Sequence, residues 1–201
     1  LPLPMMVIAH LLGVPRSDIG QFKIWSDAIV EPFSMMASKE RRIQCAHLVV
    51  EMQAYFAEMV AARQKKPCDD LISEAISYRD QEGKSFTMQE LMTIITIDLL
   101  ASGNETTTAA IGSGMKLLIE DNDALQEVTA NPDVIPALAE EILRLESPAQ
   151  GMFRRCVQPG SLNGTELQEG ELLNVRFGAA NRDERQFPNP DRIDLHRVKP
   201  G

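Results

Sequence analysis

Several things are scarce in this chain, and each scarcity removes a class of function. Its 20 Lys and Arg are outnumbered by 29 Asp and Glu, giving a net charge of −9. Phosphate backbones are therefore repelled, no basic stripe offsets the repulsion, and nucleic acid is not an expected partner. The three cysteines, Cys45, Cys68 and Cys156, form no C-x-x-C pair, which indicates neither a disulfide framework nor a thiolate zinc site. His10, His47 and His196 show no H-x-x-x-H or similar spacing, so each reads as a packed or surface residue rather than a ligand. Aromatics make up 5% of the chain, and its one tryptophan, Trp25, reads as a packing residue. The apolar run at residues 91–101 is too short to span a bilayer and carries Asp98. The start, Leu1-Pro2-Leu3-Pro4, has neither a Met nor a basic leader region. Secretion and membrane insertion are thus not expected, and a cytoplasmic location is.

What remains is an ordinary globular composition: 201 residues, 44% hydrophobic and 24% charged, long enough to bury about 70% of the unfolded surface. The 10 methionines, including Met5-Met6 and Met35-Met36, are scattered and read as packing. Helical signals fill the first three quarters. Pro15, Ser17 and Asp18 start a helix running to about residue 31, with Ile19, Phe22 and Ile29 on its apolar side. A long helix follows from residue 38, its stripe drawn through Ile43, Ala46/His47, Val50, Ala54, Ala57 and Ala61, until Lys65-Lys66-Pro67 ends it. A short helix over residues 69–78 precedes the turn Glu82-Gly83-Lys84-Ser85.

Thr87-Met88-Gln89-Glu90 is a capping box. Nothing stops the helix it opens until about Asp121, so a central helix of about 50 Å is expected over residues 87–120. Gly103 and the β-branched run Thr106-Thr107-Thr108 break the rules for a stable helix inside it, and local rule-breaking marks functional sites. Asn131-Pro132 separates a short helix from another over residues 133–145, ended by Ser147-Pro148. After that the texture changes. Residues 152–157 and 171–177 are candidate strands with turns at Pro159-Gly160 and Asn163-Gly164, and Pro188 and Pro190 punctuate an irregular tail. The fold class is mainly α with a small β portion, with no repeat or linker that argues for a second independently folded unit.

Three clusters stand out: Ala101-Ser102-Gly103-Asn104-Glu105-Thr106-Thr107 in the central helix, Glu141-Ile142-Leu143-Arg144 in the later one, and Phe187-Pro188-Asn189-Pro190-Asp191-Arg192 in the tail. Their order and separations, with Ala180-Asn181-Arg182-Asp183 before the third, closely resemble the bacterial cytochrome P450 family of haem-thiolate monooxygenases. The first looks like that family's [AG]-G-x-[DE]-T-T stretch, the second like its E-x-x-R pair and the tail like its P-x-R segment. Leu11-Leu12-Gly13-Val14-Pro15 with Phe22 and Trp25-Ser26-Asp27 resembles the region entering the family's sixth helix.

The resemblance implies a cytochrome P450-like helical fold, haem b, and electrons from NAD(P)H through a ferredoxin and its reductase. Dioxygen and a small apolar substrate would be the other reactants. Protons must reach the activated oxygen without flooding the pocket with water. The resemblance gives that task to Glu105 and Thr106, with Ser102 and Gly103 against the cofactor. The Thr106 hydroxyl is expected to bond the Ser102 carbonyl one turn back, loosening the ladder and opening a notch. Read alone, Gly103 is a close helix crossing and the threonines pack. Glu141 and Arg144, at i and i+3, read alone as an exposed pair worth under about 1 kcal/mol; the resemblance makes them a buried Glu141–Arg144–Arg192 network. Arg154 falls where the family places a strand Arg that pairs with a haem propionate, and Arg155 is its rival because neighbouring strand residues face opposite ways. Ala101, Gln150, Gly151, Met152 and Phe153 would line the substrate pocket; Met152 and Phe153 read equally well as core.

The family's axial ligand lies in an F-x-x-G-x-x-x-C-x-G loop. Arg41, Gln64 and Met152 stand four residues before the three cysteines, and His47, Asp70 and Gln158 two after; none is Gly. The axial Cys is therefore not in this chain, and no metal ligand is assigned. Residues 1–201 are expected to be part of a single cytochrome P450 domain, from about the sixth helix to just before the haem-binding loop, and inactive in isolation. Two other classes remain open. Asp69-Asp70-Leu71-Ile72-Ser73-Glu74 faintly echoes the magnesium site of an all-helical isoprenoid synthase, and a non-catalytic helical binding module is the other.

Overall fold

Several helix starts follow their caps. In the computed structural model, which describes residues 3–33 and 37–197, Ser38 accepts from the Arg41 amide at the head of α3 (Lys39–Lys65) and Asp70 from the Ser73 amide at the head of α4 (Leu71–Ser77). Thr87 and Glu90 form both halves of the capping box that opens α5 (Met88–Thr93). Two earlier helices are α1 (Leu3–Leu11), absent from the sequence expectation, and α2 (Ile19–Val30). The chain is mainly helical with two small antiparallel sheets. Met35-Met36 and Lys199-Pro200-Gly201 lie outside the described residues.

The chain divides into two compact units, Leu1–Thr108 and Ala109–Gly201. In the first, α1 to α4 and the start of the central helix enclose a core that includes Phe22, Trp25, Met52, Phe56, Ile95 and Leu100. Trp25 is buried with its ring 5.0 Å from that of Tyr55, as expected of a packing residue. The stripe drawn for α3 is corrected: Ile43 and Val50 are exposed, and the buried face is Cys45, Met52, Phe56 and Val60. Both sets repeat at helical spacing; the set with the larger side chains buries more apolar area.

The central helix is continuous over residues 88–120, as expected, but not uniform. Between α5 and α6 (Ser102–Glu120) lies a π-helical stretch, Ile94–Ala101. The distortion therefore falls before Gly103 and the threonine run, where the β-branched sequence Ile94-Ile95-Thr96-Ile97 crowds the preceding turn. The Ser102 amide reaches back five residues to the Ile97 carbonyl.

In the second unit, α7 (Asn122–Ala130) and α8 (Ile135–Leu145) pack with the end of α6 and Leu195 around Leu118, Ala124, Val134 and Leu138. Strand β1 (Met152–Arg155) pairs antiparallel with β4 (Leu172–Val175), Met152 opposite Val175 and Arg155 opposite Leu172. Between them β2 (Gly160–Leu162) and β3 (Thr165–Leu167) form a hairpin that the sequence expectation had only as a turn. Asn163 at φ 54° and Gly164 at φ 83° close it, the positive-φ pair that a two-residue turn requires. A short α9 (Phe177–Ala180) follows.

Candidate functional site

In the first unit the candidate site is one turn of α6. Because the Ser102 amide bonds Ile97, the Asp98 carbonyl is left for another donor, and the Ser102 hydroxyl supplies it. One turn on, the Thr106 hydroxyl donates to the Ser102 carbonyl. A hydroxyl that bonds a carbonyl four residues back loosens the ladder at that point. Successive residues are turned by about 100° around the axis, and exposure follows that rotation. Asn104 is buried, whereas Ser102, Glu105 and Thr106 are exposed and Ala101 is half-buried.

Gly103 fits the close helix crossing that its residue type alone suggested. A Cβ built on it would stand 3.0 Å from Ile8 Cδ1, so the absent side chain serves a close crossing with α1. Asn104, which the sequence reading passed over, donates from Nδ2 to Ser26 Oγ at 3.0 Å, with both side chains buried.

A separate cluster lies in the second unit. Arg144 grips Glu141 through two hydrogen bonds, Nε to Oε1 at 2.7 Å and Nη2 to Oε2 at 2.8 Å. Its remaining donors reach the carbonyls of Asn181, Pro190 and Arg192. The reading of Glu141 and Arg144 as an exposed pair is overturned, since their side chains are 5% and 7% exposed. Arg192 is corrected as well: it contributes only its carbonyl, and its side chain is exposed. The second guanidinium on Glu141 belongs to Arg197, Nε to Oε1 at 2.9 Å. Burial alone would raise the Glu141 carboxyl, but Arg144, the Asp194 amide and Arg197 outweigh it and hold the group below its ordinary value. The position of Arg197 beyond the Pro-rich tail carries no local signal that would have singled it out.

Just before β1, Gln150 and Gly151 close the end of the sheet. Gln150 Nε2 bonds the Ser147 carbonyl at 2.7 Å, and a Cβ on Gly151 would lie 2.6 Å from the Val175 carbonyl oxygen. Met152 and Phe153 are exposed and alternate between the faces of the strand. Arg155 Nη1 is tied to the Gly170 carbonyl at 3.0 Å, whereas Arg154 bonds only the adjacent Phe153 carbonyl and has no carboxylate partner among the described residues. Both arginines are exposed, and each has one guanidinium hydrogen bond, to a main-chain carbonyl.

A haem would find part of what it needs here. In the first unit the exposed Thr106 hydroxyl and Glu105 carboxyl suit its oxygen-binding face; in the second unit, taken by itself, Arg154 suits a propionate. No axial thiolate is on offer: each thiol donates to an oxygen, Cys45 to Glu31, Cys68 to the Lys66 carbonyl and Cys156 to the Gln158 carbonyl. Among the described residues no group of three or more His, Cys, Asp or Glu side chains is placed to hold a metal ion. The magnesium-site reading of Asp69-Asp70 gives way, because Asp70 caps α4 and is paired with Arg63 at 2.7 Å. Among the described residues no helix is long and apolar enough to cross a membrane.

Comparison with known proteins gives the same family. The cytochrome P450 family model matches residues 17–200. The chain is 34% identical over 202 residues to a putative cytochrome P450, YjiB, of Bacillus subtilis, covering 98% of this chain and 50% of that protein. It is 33% identical over 201 residues to the cytochrome P450 monooxygenase PikC of Streptomyces venezuelae, covering 100% of this chain and 46% of that one. The ligand-free structure of cytochrome P450 TbtJ1 superposes with a TM-score of 0.89 at 35% identity, over 100% of this chain and 52% of its own. The chain spans about half the length of the curated relatives it matches. It belongs to the cytochrome P450 family, whose cofactor is haem.

Proposed function

We propose that the full-length protein is a cytoplasmic cytochrome P450 monooxygenase, and that residues 1–201 form part of its single catalytic domain, from about the sixth helix to just before the haem-binding loop. It hydroxylates an apolar small organic molecule with electrons from NAD(P)H, delivered through a ferredoxin reductase and a ferredoxin. One oxygen atom enters the substrate and the other leaves as water: RH, O2, NAD(P)H and a proton give ROH, H2O and NAD(P)+. The observation that supports this reading is the turn of α6 where Glu105 and Thr106 are exposed beside the Thr106–Ser102 hydrogen bond in a chain of this family.

Haem b, when bound, supplies the iron at which dioxygen is reduced. Arg154 would hold a propionate through its guanidinium. In the first unit the Ser102 main chain and the half-buried Ala101 would flank the cofactor; in the second, one of Met152 and Phe153, which face opposite sides of β1, would offer apolar surface to substrate. The Thr106 hydroxyl proton is committed to the Ser102 carbonyl, so its oxygen accepts from a water in the notch. That water takes a proton from the Glu105 carboxyl, which is re-protonated from solvent because the side chain is exposed. Glu141, Arg144 and Arg197 build the second unit and touch neither substrate nor oxygen.

The test is Thr106→Ala in the full-length protein. Electrons should then leave as hydrogen peroxide, with NAD(P)H consumption continuing while product falls. Unchanged coupling of NAD(P)H to product would sink the proton-relay assignment.

A further inference from the structure

Two consecutive residues of α6 are held from outside just before Glu105 and Thr106. Gly103 is pressed by Ile8 of α1, its absent Cβ 3.0 Å from Ile8 Cδ1. Asn104 Nδ2 donates to Ser26 Oγ of α2 at 3.0 Å, with Asn104 5% exposed and Ser26 0% exposed. This is the only hydrogen bond between two fully buried side chains that links separate elements of the first unit among the described residues.

The position matters because the π-helical stretch ends at Ala101. Where i→i−5 bonding hands over to i→i−4 bonding, the ladder alone fixes the register poorly, since moving the hand-over by one residue exchanges one main-chain bond for another. A slip of one residue turns every side chain beyond it by about 100°. It would bring Gly103 or Glu105 to face Ser26 and carry the Thr106 hydroxyl away from the open side. A buried polar pair resists such a slip, because either wrong register leaves a buried hydroxyl or amide without its partner.

We infer that Asn104 is a positioning residue: its hydrogen bond to Ser26 sets the rotation of α6 after the π-helical stretch and so keeps Glu105 and Thr106 on the exposed side of the helix. The inference rests on the proton-relay reading above. Its consequence is functional, because misdirected proton delivery lets NAD(P)H, a proton and O2 give NAD(P)+ and H2O2 by a two-electron reduction, with no oxygen reaching substrate.

The test uses the full-length protein carrying Ser26→Ala, Asn104→Leu or Ser26→Thr, with Thr106→Ala alongside. NAD(P)H consumed, product, peroxide, haem content and substrate dissociation constant are measured for each. Ser26→Ala and Asn104→Leu should keep haem content and substrate affinity yet lose about tenfold in the share of electrons reaching product, within the range that a misplacement of about 1 Å produces. Ser26→Thr, which retains the hydroxyl, should restore coupling. If Asn104→Leu fails to accumulate, Ser26→Cys, a weaker acceptor of similar size, should fall between Ser26→Ala and wild type. Coupling unchanged in Ser26→Ala while Thr106→Ala uncouples would overturn the positioning role alone. Coupling unchanged in Thr106→Ala as well would overturn the relay and the positioning role together.

Discussion

Arg144 and Glu141 share two parallel hydrogen bonds of 2.7 and 2.8 Å with both side chains almost wholly buried. The i, i+3 spacing on α8 sets them on one face, and the carbonyls of Asn181, Pro190 and Arg192 take up the remaining donors of Arg144. A pair this buried gives less net stability than its contacts suggest, yet removing one member strands a charge. Glu141→Ala or Arg144→Leu should therefore destabilise the full-length protein by about 3–5 kcal/mol, read as a lower denaturant midpoint. A loss within about 0.5 kcal/mol, the usual range for surface substitutions, would contradict the burial.

Arg192 and Arg197 should behave differently, although both are arginines near Glu141. Arg197 donates Nε to Glu141 with its side chain 11% exposed; Arg192 offers a carbonyl that any residue possesses. Arg197→Ala should cost about 1.5–3 kcal/mol, the scale of a hydrogen bond to a charged group. Arg192→Ala should stay within about 0.5 kcal/mol of wild type. The opposite ranking, measured by the same unfolding experiment, would place the Arg192 side chain in the network after all.

Acid should find the same network. For both Glu141 and Asp70 burial alone would raise the carboxyl, but their partners outweigh it and hold them below their ordinary values of 4.5 and 3.8, Arg144 first for Glu141 and Arg63 for Asp70. A folded-state value below the unfolded one means the unfolded chain binds protons more readily at low pH. Their contribution is thus complete above about 4.5 and is lost as pH falls through the folded-state values. Stability measured from roughly pH 6 down to pH 3 should decline, and Glu141→Gln should flatten part of the decline. An unaltered slope in that variant would remove Glu141 as a source.

The parts of this architecture written in local chemistry are legible in the sequence. Thr87 and Glu90 announce a helix start because their side chains bond neighbouring amides whatever else the chain does. The Thr106–Ser102 bond is likewise a matter of four-residue spacing. Legibility fails where tertiary packing chooses between equivalent local patterns. On α3 two helical stripes compete, and the one holding Met52, Phe56 and Val60 wins because α2 presents Phe22 and Trp25 to it. The π-helical stretch exchanges one backbone bond for another, a choice that residue types between 94 and 101 bias but do not dictate. Asn104 and Arg197 were invisible for a related reason: each acquires its meaning from a partner 78 or 56 residues away.

Gly13 offers the last test, one that separates backbone strain from a side-chain clash. It follows α1 at φ +69°, and a Cβ there would stand 2.5 Å from Asp70 Oδ2 and 2.9 Å from Arg63 Nη2. The two residues form an ion pair of 2.7 Å whose carboxylate also caps α4. Gly83, at φ +79°, has nothing within 4 Å of the same position. Both glycines should lose about 1–2 kcal/mol on substitution by Ala from the left-handed backbone alone. Only Gly13→Ala must also displace the Arg63–Asp70 pair, so it should cost about 2 kcal/mol more than Gly83→Ala, the scale of a disrupted charged hydrogen bond. Equal costs in denaturant unfolding would mean that the pair moves aside freely and that the joint between α1, α3 and α4 does not depend on the missing side chain.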